Sequence, residues 1–212
     1  MRNIKSYGDI EIGIEEILDG RSTLDDMFFL EDLKQRKLFL NTEIDQFSIA
    51  DIVRHIMAYN KEDHGVPVED RKPIVLYVVS NGGDVDSGFE LIDIIQSSKT
   101  PVYTVNLGYQ YSMGFLIGLA GHKRYTTKNA RFLMHDGSMG AIDSMAKLED
   151  RLEFNRRCEN RTKEYVLSVS KITEAEYDAK RRVEWYMFAE EAKEKGFVDY
   201  IIGVDCDIDD VI

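Results

Sequence analysis

The chain is poor in the residues that would mark a secreted, metal-binding or membrane protein. Its two cysteines, Cys158 and Cys206, lie far apart without Cys-x-x-Cys spacing, so neither a disulfide framework nor a thiolate metal site is written into it. Free thiols in a reducing compartment are the expectation. No run approaches the about 18 consecutive apolar residues of a membrane span. Positions 1–20 carry Glu and Asp where a secretory leader has its apolar core, which predicts cytoplasmic residence. Positive charge is also scarce: 27 Lys and Arg against 39 Asp and Glu give a net charge of −12 and a pI near 4.8. Nucleic acids and anionic membranes need clustered cations, so this surface suits neither. There are three prolines, and Pro67, Pro73 and Pro101 all fall in loops or at the end of a patterned segment.

What is present is 212 residues, enough for one well-buried domain. Residues 1–30 are weakly patterned and broken by Gly8, Gly13 and Gly20, and read as a loosely structured N-terminal arm. Lys37 to Leu40 is a short strand candidate. Phe47, Ile49, Ile52, Val53, Ile56 and Met57 then recur at helical spacing. Ile74 to Val79 is a continuous β-branched and aromatic run, the pattern of a strand buried on both faces, and it enters Ser80-Asn81-Gly82-Gly83-Asp84. A helix over Phe89 to Ile95 follows, then a strand over Val102 to Leu107, and a helix from Phe115 to about Ala120. Two βαβ units in succession predict parallel strands, with both following turns at one edge of one sheet.

Further on, Arg124 to Thr126 and Phe132 to Met134 are short strands, and 142–169 is a long, half-polar helix that should project and meet another subunit. Thr173-Glu174-Ala175-Glu176 reads as a capping box, and Ala189 to Lys195 as a helix closed by Gly196 before a strand over Phe197 to Ile202. Positions 205–212 form an acidic tail whose aspartates lack the glycine and glutamate of a calcium loop, so it reads as solvated.

Chemistry gathers around Gly108-Tyr109-Gln110-Tyr111-Ser112-Met113-Gly114. A serine at a strand-to-helix corner is either a helix cap or an exposed nucleophile beside free amides that could stabilise an oxyanion. Serine acyl transfer also needs a base. Among the four histidines, His55 lies in a helix, His64 in a charged loop and His122 in a turn, whereas His135 ends an apolar strand and opens a glycine-rich loop. His135 therefore reads either as that base or as a structural histidine.

These segments together resemble the proteolytic subunit of the Clp protease. The family's motifs Ser-Pro-Gly-Gly, Gly-x-Ala-Ala-Ser-Met-Gly, Asn-Ala-Arg with Met-Ile-His, and Ala-x-Glu-Ala with Gly-x-x-Asp are matched in order. Here they read Ser80-Asn81-Gly82-Gly83, Gly108 with Ser112-Met113-Gly114, Asn129-Ala130-Arg131 with Met134-His135, and Ala189-Glu190-Glu191-Ala192 with Gly196 and Asp199.

The resemblance implies an α/β, crotonase-like fold over 31–204 with a projecting handle helix. It implies a serine peptidase of a double heptameric ring, fed by an ATP-dependent unfoldase and using no cofactor or metal. By position, Ser112 is similar to the nucleophile, His135 to the base, and the amides of Gly83 and Met113 to the oxyanion hole.

Several positions depart from the family pattern. The triad aspartate's place, five before Ala189, holds Glu184, with Asp178 as a weaker substitute. Gln110-Tyr111 stands for Ala-Ala, Asn81 and Gly137 stand for prolines, and Val183 for an arginine, which implies looser substrate-aligning loops and a divergent paralogue. A silent ring subunit working with an active paralogue is the second reading. A crotonase-type acyl-CoA enzyme is the third.

Overall fold

A computed structural model describes Gly20, residues 23–138 and residues 140–211, so most of the expected N-terminal arm lies outside the described residues. The end of that arm is a helix instead. Helix α1, Leu24–Lys34, starts at Thr23, whose hydroxyl accepts from the Asp26 amide while the Asp26 carboxylate accepts from the Thr23 amide. Only Leu33 of α1 is buried, and Leu24, Phe28 and Phe29 face outward, so the helix carries no apolar stripe by which periodicity could reveal it.

The larger sheet has five parallel strands in the order β1-β2-β3-β5-β8: β1 Lys37–Leu40, β2 Ile74–Val78, β3 Val102–Asn106, β5 Lys123–Thr127 and β8 Tyr200–Ile202. Every residue of β2 is buried, as its unbroken apolar run predicts. Helices α2, Gln46–Glu62, and α3, Val85–Ser97, cross between these strands. Their stripes, Ile49, Ile52 and Ile56 with Leu91, Ile92 and Ile95, close over Leu38, Leu40, Ile74, Leu76 and Val78. Burying each such side chain contributes about 1.5–3 kcal/mol.

A second sheet corrects the simple two-unit reading. Between β3 and α4, Met113–Leu119, the chain forms a separate three-residue strand, β4, Tyr109–Tyr111. It pairs in parallel with β6, Arg131–Met134, and β6 pairs antiparallel with β7, Trp185–Phe188. Ser112 therefore follows β4 of the small sheet, whereas the Gly82-Gly83 turn follows β2 of the large one. The two layers are joined at Ser80, whose amide donates to Tyr109 O at 3.1 Å and whose carbonyl accepts from Tyr111 N at 2.9 Å. A segment this short, with alternating tyrosines and no run, leaves no strand signal of its own.

Helix α5, Met145–Ser168, has the 24 residues of a rod about 36 Å long. Its first half leaves Met145, Leu152 and Phe154 exposed, and only Val166 is fully buried. Near its end, Tyr165 donates to Leu116 O at 2.9 Å and rests edge-on against Phe89, so the helix is anchored by its last turns.

Helix α6, Glu174–Lys180, is capped by Thr173, but the reciprocal half of the expected box is absent: Glu176 instead pairs with Lys195 at 2.8 Å. Helix α7, Ala189–Glu194, ends at Gly196 with φ 75, as expected of a glycine closing a helix, but only Tyr200–Ile202 of the segment beyond it is strand.

The tail is not simply solvated. Asp205 accepts from Ile201 N at 2.7 Å and pairs with Lys193, a short 3-10 turn spans Ile208–Asp210, and Val211 is only 4% exposed, against Val75, Tyr77, Val105 and Tyr125. The outer face of the large sheet is apolar and aromatic, and the tail covers part of it.

Candidate active site

Four residues singled out in the sequence lie at the ends of strands of the two sheets. Gly83 follows β2, Ser112 follows β4, and His135 follows β6. Glu184 precedes β7, and since β7 runs antiparallel to β6, its start lies at the end where β6 finishes. The register pairs Leu133 with Tyr186 and Met134 with Trp185, the last pair of the ladder, so His135 directly follows one strand and Glu184 directly precedes the other.

Ser112 has φ 53 and ψ −123, one of two non-glycine residues with positive φ among those described. Such a backbone costs a non-glycine residue about 1–3 kcal/mol and persists only where its surroundings impose it. They do so on both sides: Ser112 N donates to Leu133 O at 2.9 Å, and Ser112 O accepts from Phe115 N at 3.0 Å and Leu116 N at 3.2 Å. The Ser112 side chain makes no capping hydrogen bond to α4, which leaves the hydroxyl free for other work. Met113 drives its side chain against Gly88 of α3, where a Cβ would sit 2.3 Å from Met113 Cγ. Gly114 passes Ser80 O so closely that a Cβ would lie 2.9 Å away.

The glycine turn is built against this corner. A Cβ on Gly82 would lie 2.7 Å from Ser112 Cβ and 3.0 Å from Met113 N; one on Gly83, where φ is 149, would lie 2.2 Å from Ile44 O. The turn is also tied down: Gly82 N donates to Ser80 Oγ at 3.1 Å, Ser80 Oγ donates to Thr42 O at 2.6 Å, Ile44 N donates to Gly82 O at 2.9 Å, and Asp84 N donates to Ile44 O at 2.8 Å. These bonds hold the turn with Asn81 in the proline's place. Among the described residues the amides of Gly83 and Met113 have no acceptor, while their neighbours Gly82, Asp84 and Ser112 do.

Ser112, Met113 and His135 line one pocket of about 80 Å³, with Val85, Leu116 and Met134 among its apolar walls; Glu184 is not part of it. Among the described residues no hydrogen bond joins Ser112 Oγ to His135, or His135 to Glu184; Glu184 Oε2 accepts from Tyr186 Oη at 3.1 Å. Asp178, the weaker substitute, is bound on both oxygens to Lys163 at 2.8 and 2.9 Å. Of the other histidines, His122 accepts from Val102 N at 3.1 Å, a structural role at the opposite ends of the strands. A larger groove of about 730 Å³ lies beside it, where Arg124 is paired with Asp199 and Lys193 with Asp205. It contains none of Gly83, Ser112, His135 and Glu184, and ligands of parallel sheets bind at the carboxyl ends of strands instead.

Gln110 resolves one departure. Its side chain is buried on the inner face of β4, donates to Val78 O at 3.4 Å, and occupies the space over Gly118, where a Cβ would sit 2.2 Å from Gln110 Oε1. Its bulk enters the core rather than the site. Tyr111 points the other way, its ring 5.9 Å from Tyr186 and 5.2 Å from Tyr109.

The Clp protease family model matches residues 20–205, which is most of the chain. The chain belongs to the Clp protease family. It is 32% identical over 188 residues to the ATP-dependent Clp protease proteolytic subunit 1 of Streptomyces avermitilis, covering 85% of this chain and 82% of that one. Over 185 residues it is 34% identical to the proteolytic subunit 3 of Streptomyces coelicolor, covering 84% and 80%. A shorter match, 37% over 116 residues, joins it to the proteolytic subunit 2 of Treponema pallidum and covers about half of each chain, 54% and 55%. The parallel sheet, the small second sheet and the anchored long helix fit the crotonase-like fold of the Clp proteolytic subunits, which are serine-type peptidases. Among the described residues no helix is long and apolar enough to cross a membrane.

Sequence reasoning missed Ser80, the hub between the layers, although a serine directly before Asn-Gly-Gly is a side chain suited to bonding turn amides. It also missed Tyr186, together with the whole of β7, for which no strand was read.

Proposed function

We propose that this Clp subunit is an active serine endopeptidase in which Ser112 is the nucleophile, His135 the general base and Glu184 the acid that orients it. The observation that carries the reading is the corner at Ser112: a serine at positive φ, beside two uncommitted amides, in one pocket with His135. Ser112 Oγ attacks the scissile carbonyl as His135 takes its proton. The oxyanion of the tetrahedral intermediate accepts from Gly83 N and Met113 N, each such donor contributing about 3 kcal/mol. His135 then protonates the leaving amine, and water, deprotonated by His135, releases the acyl group from Ser112. No cofactor or metal takes part.

The names of the relatives are those of ATP-dependent proteolytic subunits. With the projecting helix α5 and its exposed Met145, Leu152 and Phe154, this supports assembly into a double ring, heptameric by family resemblance and fed by an ATP-dependent unfoldase. Unfolded chains and short peptides are the substrates.

A catalytically silent ring subunit is the second reading, favoured by the hydrogen bond that engages Glu184 with Tyr186 rather than with His135. Labelling with a serine-directed fluorophosphonate separates the two. The peptidase reading expects one label per subunit, on Ser112, lost in His135→Ala; an assembled protein that takes up no label would be a silent subunit.

A further inference from the structure

Two departures from the family pattern, Tyr111 and Glu184, form one physical assembly with the outward Tyr186. Glu184 directly precedes β7, and Tyr186 is the second residue of that strand. Tyr186 Oη donates to Glu184 Oε2 at 3.1 Å. The Tyr186 ring meets the Tyr111 ring edge-on at 5.9 Å and 89°, and Tyr111 is joined by the next peptide bond to Ser112. The same face of the neighbouring strand carries Leu133, opposite Tyr186, and the ladder ends at Met134 and Trp185, directly before His135 on one strand and directly after Glu184 on the other.

We propose that Tyr186 is the positioning residue for Glu184, holding one carboxylate oxygen so that the other is presented to His135, with Tyr111 as the ring that fixes Tyr186. The proposal rests on the peptidase reading above. Glutamate has one more rotatable bond than aspartate, and an exposed carboxylate with that freedom would spend much of its time away from a histidine across the strand. A hydroxyl donating to one oxygen removes that freedom and leaves the second oxygen, with its lone pairs, unused. A tyrosine at 111 closes the arrangement, since edge-to-face aromatic pairs contribute about 0.5–1.5 kcal/mol beyond their buried area. The hydroxyl of Tyr186 is held above the ordinary tyrosine range, chiefly by its hydrogen bond to Glu184, with burial and the carboxylate charge adding to it.

The test compares peptide hydrolysis by the assembled wild type, Tyr186→Phe, Glu184→Gln and the double variant, with kcat and KM measured separately. Tyr186→Phe should lower kcat by about three- to tenfold, the effect of one hydrogen bond, with KM essentially unchanged. In the Glu184→Gln background the same substitution should cost nothing further, because the acid it positions is gone. A Tyr186→Phe enzyme with wild-type kcat, or one losing the same factor in both backgrounds, would overturn the proposal. Ser112→Ala, assayed in parallel, tells its failure apart from that of the peptidase reading: hydrolysis surviving in that variant removes the nucleophile, and Tyr186 loses its role with it.

Discussion

The amide of Ser112 donates to the carbonyl of Leu133 at 2.9 Å, two residues before His135, which directly follows that strand. That one bond fixes the corner carrying the nucleophile to the strand carrying the base, and it forms because β4 pairs in parallel with β6 up to Tyr111 and Leu133. The relative placement of Ser112 and His135 is thus set by backbone pairing, with side-chain choice secondary.

The glycine turn is the least substitutable part of this corner. Gly83→Ala would place a methyl 2.2 Å from Ile44 O at a φ of 149. Backbone must move, so a loss of stability of at least about 2 kcal/mol is expected, together with loss of hydrolysis. Chemical denaturation measures the first. An Ala variant as stable as wild type would show that the turn is slack.

Gln110 and Gly118 should behave as a coupled pair. Gly118→Ala puts a methyl 2.2 Å from Gln110 Oε1 in a buried layer, an overpacking expected to cost about 1–3 kcal/mol. Making the change in a Gln110→Ala background should relieve much of that cost, measured as a double-mutant cycle in urea. Simple additivity would mean that the two side chains do not share the space.

Sequence made the centre of the large sheet legible because β2 is a continuous apolar run flanked by amphipathic helices, and it made Ser112, His135 and the glycine turn legible because they sit just past segments read as strands. Of the small sheet only β6 was legible, as the short run Phe132 to Met134. Strand β4 has three residues, and its inward side chain is the polar Gln110, which is buried only because Gly118 leaves a space for it. Helix α1 was hidden for the opposite reason: its apolar residues point outward, so no stripe marks it. Glu184 could be reached by counting from Ala189, but its hydrogen bond to Tyr186 depends on strand orientation, which spacing does not disclose.

Acid should act on the fold through Asp63. Arg36 meets both its oxygens at 2.7 Å and Thr100 Oγ1 donates to one of them at 2.7 Å. These bonds, led by those from Arg36, hold the carboxyl below the ordinary carboxylate range against the opposing effect of burial. A lowered folded value means that the stabilisation is complete above the unfolded value, about 3.9, and is lost as pH falls through the folded one. Asp63→Asn should therefore be less stable by about 3 kcal/mol near neutral pH, with the gap to wild type narrowing below about pH 4. Thermal melts across this range check it, and a gap that stays constant to about pH 3 would place the stabilisation elsewhere.

Hydrolysis should depend on His135. With His135 as base, His135→Ala should lose hydrolysis while keeping the wild-type assembly, because nothing is left to take the Ser112 proton. A His135→Ala variant that still cleaves would count against His135 as the base.

The most direct measurement is hydrolysis of a short fluorogenic peptide by the purified protein and by Ser112→Ala, with the assembly size of each determined alongside. The account predicts hydrolysis by the wild type, none by the variant, and the same assembly for both. An assembled wild type that cleaves nothing, or a Ser112→Ala variant that still cleaves, would contradict it.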